Sequence, residues 1–229
     1  FELAEKYENM LSATKENSDI WRINHSAGAP VDVTADTAQL LETALYYAEL
    51  TDGRIDPTIL PVASLWNFGS DKSPSIPDSS ALKEALSHVD YHTVRMEEKG
   101  DSYLVTLDDP QAMIDLGFIA KGYIADRMKD YLLSLDISSV CINIGGNVVT
   151  IGDNPDGSPF RIGIQEPFAA EGTPITVVAL SDASLVSSGV YERYFYQDDV
   201  LYHHILDPAT GYPVENNLAG VTILSPGSV

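Results

Sequence analysis

Asp115-Leu116-Gly117-Phe118-Ile119-Ala120-Lys121-Gly122-Tyr123, with Asp126 just beyond, runs from a short apolar stretch through glycine into a helical pattern. Ile124, Met128, Tyr131, Leu132 and Leu135 recur at helical spacing after Gly117, so a helix is expected there. Residues 113–116 before it have the look of a short strand. A strand–glycine–helix junction turns free N–H groups and the positive end of the helix dipole outward, which suits a phosphate. Lys121 adds a positive charge. The glycine-rich lead of a P-loop is missing, and a plain turn with an exposed lysine has the same local pattern.

Working outward from this junction, the first half of the chain is dominated by helical periodicity. Leu3, Tyr7, Met10 and Leu11 share one face over residues 2–13. A second helix is expected after Thr34, with Leu40, Leu41, Ala44, Leu45 and Ala48 as its apolar stripe and Asp52-Gly53 as its end. A third runs from about 79 to 89. Between them, residues 69–78 are rich in Ser, Pro and Asp and form a loop. Strands are expected at 102–107, 139–144, 148–151, 160–165, 175–180, 191–196, 200–205 and 221–224, with Gln197-Asp198-Asp199 as a hairpin turn. Helices early and strands late give an α+β fold with antiparallel sheets, a helix-rich N-terminal half on a strand-rich remainder.

Composition narrows the function. The 229 residues are 44% hydrophobic and 21% charged, the balance of a chain that buries a core. With 13 basic and 34 acidic residues, the formal net charge is −21. Such a field repels nucleic acid, so no nucleic-acid partner is expected. A phosphate-bearing ligand must then be held by local features, such as backbone N–H groups or a placed lysine. The single cysteine, Cys141, excludes an internal disulfide and a thiolate zinc site; its apolar neighbours predict a buried thiol.

Three more segments carry chemistry. Asn143-Ile144-Gly145-Gly146-Asn147 places paired glycines after a strand, where backbone approaches a ligand closely or a bulge forms. Ser187-Ser188-Gly189 precedes Tyr191-Glu192-Arg193-Tyr194; on a strand, Glu192 and Arg193 point to opposite faces. His203-His204-Ile205-Leu206-Asp207-Pro208-Ala209-Thr210-Gly211-Tyr212-Pro213 places a histidine at a strand end with Asp207 three residues on. That is the pattern of a base held by a carboxylate, and also of a well-formed turn. Adjacent strand residues diverge, so His203 and His204 do not share a metal.

In order and wording, these segments resemble the FAD:protein FMN transferase family, the ApbE type. Ser18-Asp19-Ile20-Trp21-Arg22-Ile23-Asn24, Asp52-Gly53, Asp56-Pro57-Thr58 and Leu65-Trp66-Asn67-Phe68 fit the family's first half. The resemblance covers nearly the whole of residues 1–229 and implies one ApbE-like domain of T-fold-related architecture. Phe118, Asn147 and Ser187 depart from the family's Gly, Asp and Thr.

The resemblance implies a transferase that moves FMN from FAD to a Thr or Ser hydroxyl of an acceptor protein, such as a subunit of a flavin-dependent redox system, releasing AMP. The alternatives are an FAD pyrophosphatase giving FMN and AMP, a non-catalytic FAD-binding protein, or an unrelated α+β domain. By position, Asp115 and Lys121 match flavin-nucleotide contacts. Trp66, Asn67 and Phe68 match a pocket wall, with Trp66 equally readable as a core residue. Ile205 contributes through its backbone, and His204 matches the residue that deprotonates the acceptor.

The family uses Mg²⁺, with the Phe118 carbonyl as one ligand. Its Asp and Thr ligands are expected beyond Val229, so the resemblance implies a chain that lacks the C-terminal metal-ligand segment and the first N-terminal strands. It also implies an exported lipoprotein anchored to the outer face of a bacterial cytoplasmic membrane.

Overall fold

A computed structural model describes residues 2–69, 72–100 and 102–229. In chain order its first elements are α1 (Glu2–Leu11), α2 (Asp19–Asn24), β1 (Val31–Val33), α3 (Ala35–Leu50), α4 (Leu60–Trp66), α5 (Ser79–Leu86), β2 (Val94–Lys99) and β3 (Ser102–Leu107). Next come α6 (Gly117–Leu133), β4 (Val140–Ile144), β5 (Asn147–Ile151), β6 (Phe160–Gln165), β7 (Pro174–Leu180) and β8 (Ser184–Gly189). Last are β9 (Tyr194–Gln197), β10 (Val200–His203) and β11 (Gly220–Ser225). All named strand pairs are antiparallel, so the α+β class is as expected. The chain divides into two compact units, Phe1–Phe118 with Arg193–Glu215, and Ile119–Glu192 with Asn216–Val229. No described helix is long and apolar enough to cross a membrane.

In the first unit, α3 buries Leu40, Leu41, Ala44 and Ala48, the stripe its periodicity requires. Thr34 caps it by accepting the N–H of Thr37. The buried Asp19 carboxylate locks this start in place. It accepts from the Thr34 N–H at 3.0 Å, the Thr34 hydroxyl at 2.8 Å and the Thr37 hydroxyl at 2.7 Å, and pairs with Arg22. Strands β1, β3 and β2 form a three-stranded sheet in that order. A second core gathers Val62, Trp66 and Leu82, with Phe195 and Tyr202 of the β9–β10 hairpin packed on it. Asp198 and Asp199 both have positive φ (51° and 62°), which makes the expected hairpin turn between β9 and β10.

In the second unit, the sheet order is β11-β8-β5-β4, with β6 and β7 as a separate pair. Ala125, Met128 and Leu132 of α6 pack on Ile142 and Val149. Gly145 (φ 55°) and Gly146 (φ 89°) occupy the two central positions of the β4–β5 turn. A two-residue turn with both φ positive favours glycine at each place, so the glycine pair closes a hairpin and makes no bulge.

Several expectations are corrected. Residues 113–116 are not a strand: Met113 makes one isolated bridge to Ile59, the Ile114 N–H donates to the Asn24 side chain, and the Asp115 N–H donates to the Pro57 carbonyl. Ser187–Gly189 lies inside β8, while Tyr191–Arg193 is a turn and β9 starts at Tyr194. Glu192 and Arg193 therefore lie in a turn and do not face opposite sides of a strand. Strand β10 ends at His203, leaving His204 just outside it. Cys141 is exposed, because strand alternation turns its neighbour Ile142 inward instead. The first helix ends at Leu11 and α5 at Leu86, both earlier than expected. Within the expected loop, Ser70 and Asp71 lie outside the described residues, as does Phe1 before α1.

Candidate active site

In the first unit the site begins at α4, a seven-residue helix with proline in its first turn. It stops at Asn67, whose left-handed backbone (φ 58°, ψ 22°) reverses the chain at once. The reversal lays Phe68 back on Trp66, the rings stacked 5.8 Å apart at 11°. Trp66 itself is completely buried, with its indole N–H donating to the Gly211 carbonyl at 2.8 Å. Of its two readings the core one describes this structure. Phe68 and Asn67, both half-buried, form the accessible part of that wall. An aromatic face there is the kind of surface on which a flat ring stacks.

His204 follows β10. Its backbone N–H and its ring Nδ1 both reach the Arg193 carbonyl, at 3.1 and 3.3 Å. A carbonyl only accepts, so Nδ1 carries the proton and Nε2 the lone pair that a base uses. A backbone carbonyl thus helps to orient the ring. Asp207, expected in that role, uses Oδ1 to cap the Ala209 N–H at 2.9 Å within the turn. The Ile205 carbonyl accepts the N–H of Val214 at 2.9 Å, so its backbone is part of the loop's own bonding. His203 is buried, and burial pushes its pKa down against a backbone hydrogen bond at Val214.

Asp115 is held at both ends. Its N–H donates to the Pro57 carbonyl at 2.8 Å, and Oδ1 accepts the N–H of Gly117, the first residue of α6, at 2.7 Å. Pro57 is fixed in turn by Asp56, which accepts from the Thr58 N–H, the Thr58 hydroxyl and the Tyr91 N–H. The Phe118 side chain is exposed on the first turn of α6.

In the second unit, Lys121 is exposed on α6, with Nζ 3.4 Å from the Gly145 carbonyl in the β4–β5 turn. The Asn143 side chain accepts the Gly146 N–H at 3.2 Å, and the Gly146 carbonyl accepts the Ser187 N–H at 3.1 Å. Three segments far apart in sequence therefore meet around one turn that carries a cation. The Asn147 side chain accepts from the Ser228 hydroxyl at 2.9 Å and stays buried.

Arg193 and Gly211 lay within quoted segments, but their roles were not visible in the sequence. Both act through backbone carbonyls, which every residue possesses, so no side-chain signal marks them. Asp19 lay within a quoted segment, but its role as a buried cap-holder shows only in the structure.

The sequence pattern of the ApbE family matches residues 1–229, the whole chain. This chain belongs to the ApbE family. Among similar proteins, one from Klebsiella pneumoniae (strain 342), named FAD:protein FMN transferase, is 38% identical over 230 residues. That match takes in all of this chain and 70% of the relative. A protein of the same name from Treponema pallidum (strain Nichols) is 37% identical, with 100% of this chain and 66% of the relative covered. The crystal structure of the ApbE protein from Thermotoga maritima superposes with a TM-score of 0.89 at 35% identity, covering 99% of this chain and 72% of that one. Flavin transferase ApbE from Vibrio cholerae gives 0.84 at 30% identity, covering 99% and 72%. The chain thus spans about two thirds of the length of these ApbE-family relatives.

Proposed function

We propose that this ApbE-family chain takes FAD as substrate and transfers its FMN half to a Ser or Thr hydroxyl of an acceptor protein, with AMP released. The observation that carries the reading is identity of 38% and 37% across its whole length to proteins named FAD:protein FMN transferase. In the reaction the acceptor oxygen bonds to the FMN-side phosphorus and the pyrophosphate P–O bond to AMP breaks. The hydroxyl proton goes to His204 Nε2, which the Arg193 carbonyl leaves as the basic nitrogen. Phe68, backed by Trp66, offers a face to a ring of the substrate. Lys121 offers positive charge to the phosphates in a chain of net charge −21.

Replacing that lysine with the similarly long but uncharged methionine, Lys121→Met, is expected to weaken FAD binding about tenfold, the scale of one charge-assisted hydrogen bond. Fluorescence titration of FAD checks this. An unchanged dissociation constant removes Lys121 from the phosphate site.

Magnesium is proposed from the resemblance. Among the described residues no three His, Cys, Asp or Glu side chains gather to hold a metal. A single Phe118 carbonyl does not fit a hard cation, which takes six or more oxygens. This 229-residue chain is therefore expected to bind Mg²⁺ only weakly, with a dissociation constant of about 1 mM or higher. Isothermal titration reads this directly, and micromolar binding would show a cation site that these residues do not explain. We propose from the same resemblance an exported location on the outer face of a bacterial cytoplasmic membrane.

Incubation with FAD, Mg²⁺ and a Thr- or Ser-bearing acceptor protein tests the reading. AMP and a fluorescent acceptor band are expected together. Equal AMP with and without acceptor would indicate hydrolysis instead, and FAD binding without product a carrier.

A further inference from the structure

We infer that Trp66 is a positioning residue for His204: its indole N–H holds the loop that carries the imidazole, while its ring face holds Phe68. The inference rests on His204 being the base of the proposed transfer. With 0% exposure, Trp66 offers no surface to a substrate. An indole has one donor and no acceptor, so the 2.8 Å bond to the Gly211 carbonyl fixes which way the ring lies. Phe68 stacks on one side of that ring, and Tyr212 meets it edge-on with centroids 5.5 Å apart.

The far end of the bond is equally constrained. Gly211 has φ 72°, and a Cβ there would stand 2.8 Å from Leu82 Cδ1 and 3.3 Å from Val62 Cγ1. The loop backbone is thus pressed onto the same core that holds Trp66. From Gly211 the constraint passes back along short hydrogen bonds. The Gly211 N–H donates to the Asp207 carbonyl at 2.7 Å, the Asp207 N–H to the Tyr212 carbonyl at 2.8 Å, and the Val214 N–H to the Ile205 carbonyl at 2.9 Å. A loop closed this tightly moves as a piece, and His204 is the residue next to its first bonded position. Loss of the indole donor leaves a buried carbonyl without that partner, and the loop must shift to find another.

Trp66→Phe removes the donor and keeps most of the apolar volume. The expected result is a fall in kcat of about 10- to 100-fold, the scale of a small misplacement of a catalytic group. KM for FAD should stay within about threefold, because phenylalanine keeps an aromatic face behind Phe68 and a base acts in the transition state without holding the cofactor. The acid limb of the kcat–pH profile should also move, since the imidazole has changed its surroundings. Unchanged kcat and an unchanged profile in a folded Trp66→Phe protein would overturn the inference. A parallel measurement needs no variant: in the intact chain, the Trp66 indole N–H should exchange with solvent in step with the Gly211 and Val214 amides. A fast indole beside protected loop amides would also overturn it. If neither the unaltered protein nor a version extended to the length of its relatives forms AMP and labelled acceptor, the transfer reading fails. If either does and Trp66→Phe matches it, only the positioning role fails.

Discussion

His204→Ala is expected to lower the rate of FMN transfer by a factor on the order of 10²–10⁴, the usual effect of losing a general base. FAD affinity should change by less than about threefold, because the imidazole acts on the acceptor hydroxyl as the new bond forms. The structure gives a specific reason for choosing this histidine. His203 is buried, whereas His204 is half-buried with its Nδ1 against the Arg193 carbonyl, which leaves Nε2 as the basic atom. Single-turnover kinetics at saturating acceptor, beside an FAD titration, separates the two effects. Unchanged turnover with intact binding would take His204 out of the mechanism.

The second large effect concerns stability. Asp19→Ala is expected to destabilise the first unit by roughly 2–4 kcal/mol, because it strands the buried Thr37 hydroxyl, releases the Thr34 donors and removes the Arg22 partner. The same change loosens the capped start of α3. Burial pushes the Asp19 carboxyl pKa up, but bonds from the Thr34 N–H, the Thr37 and Thr34 hydroxyls and Arg22 outweigh it and set it below the ordinary 3.8. A lowered carboxyl pKa contributes stability that is fully present above the ordinary value and disappears as pH falls through the folded one. The gap between the intact chain and Asp19→Ala should therefore be full near neutrality and narrow only below about pH 3.8. Urea midpoints for both proteins across that range measure it. A gap that is small at neutral pH, or that widens in acid, would contradict the assigned network.

These outcomes also show where the sequence was legible. Helices α3 and α6 announced themselves because each repeats apolar residues at 3.6-residue spacing and starts at a marked residue, Thr34 or Gly117. The β9–β10 turn was legible in Gln197-Asp198-Asp199, since Asp accepts positive φ more readily than most residues. Strand β8 was not, because Ser184, Ser187 and Ser188 mimic a loop; β11 pairs along the whole strand and β5 along Ser184 to Val186, partners which only the tertiary fold supplies. Residues 113–116 erred the other way: Met113, Ile114 and Leu116 imitate a strand, yet their segment is held by an Asn24 side chain and a Pro57 carbonyl.

The candidate site divides along the same line. Lys121, the Gly145-Gly146 pair and Ser187 were each visible as side chains or glycines, and the structure brings them to one turn. The bond between Trp66 and Gly211 joins residues 145 apart through a backbone carbonyl, so no local pattern announced it.

The most direct test of the central claim is mass spectrometry of an acceptor protein after incubation with this chain, FAD and Mg²⁺, with AMP measured in the same sample. The chain would be compared beside a version extended to the length of its relatives. The expected result is an acceptor heavier by FMN less one water, the added mass mapping to a Ser or Thr, and AMP in equal amount. AMP without a modified acceptor, or neither product from both versions, would contradict it.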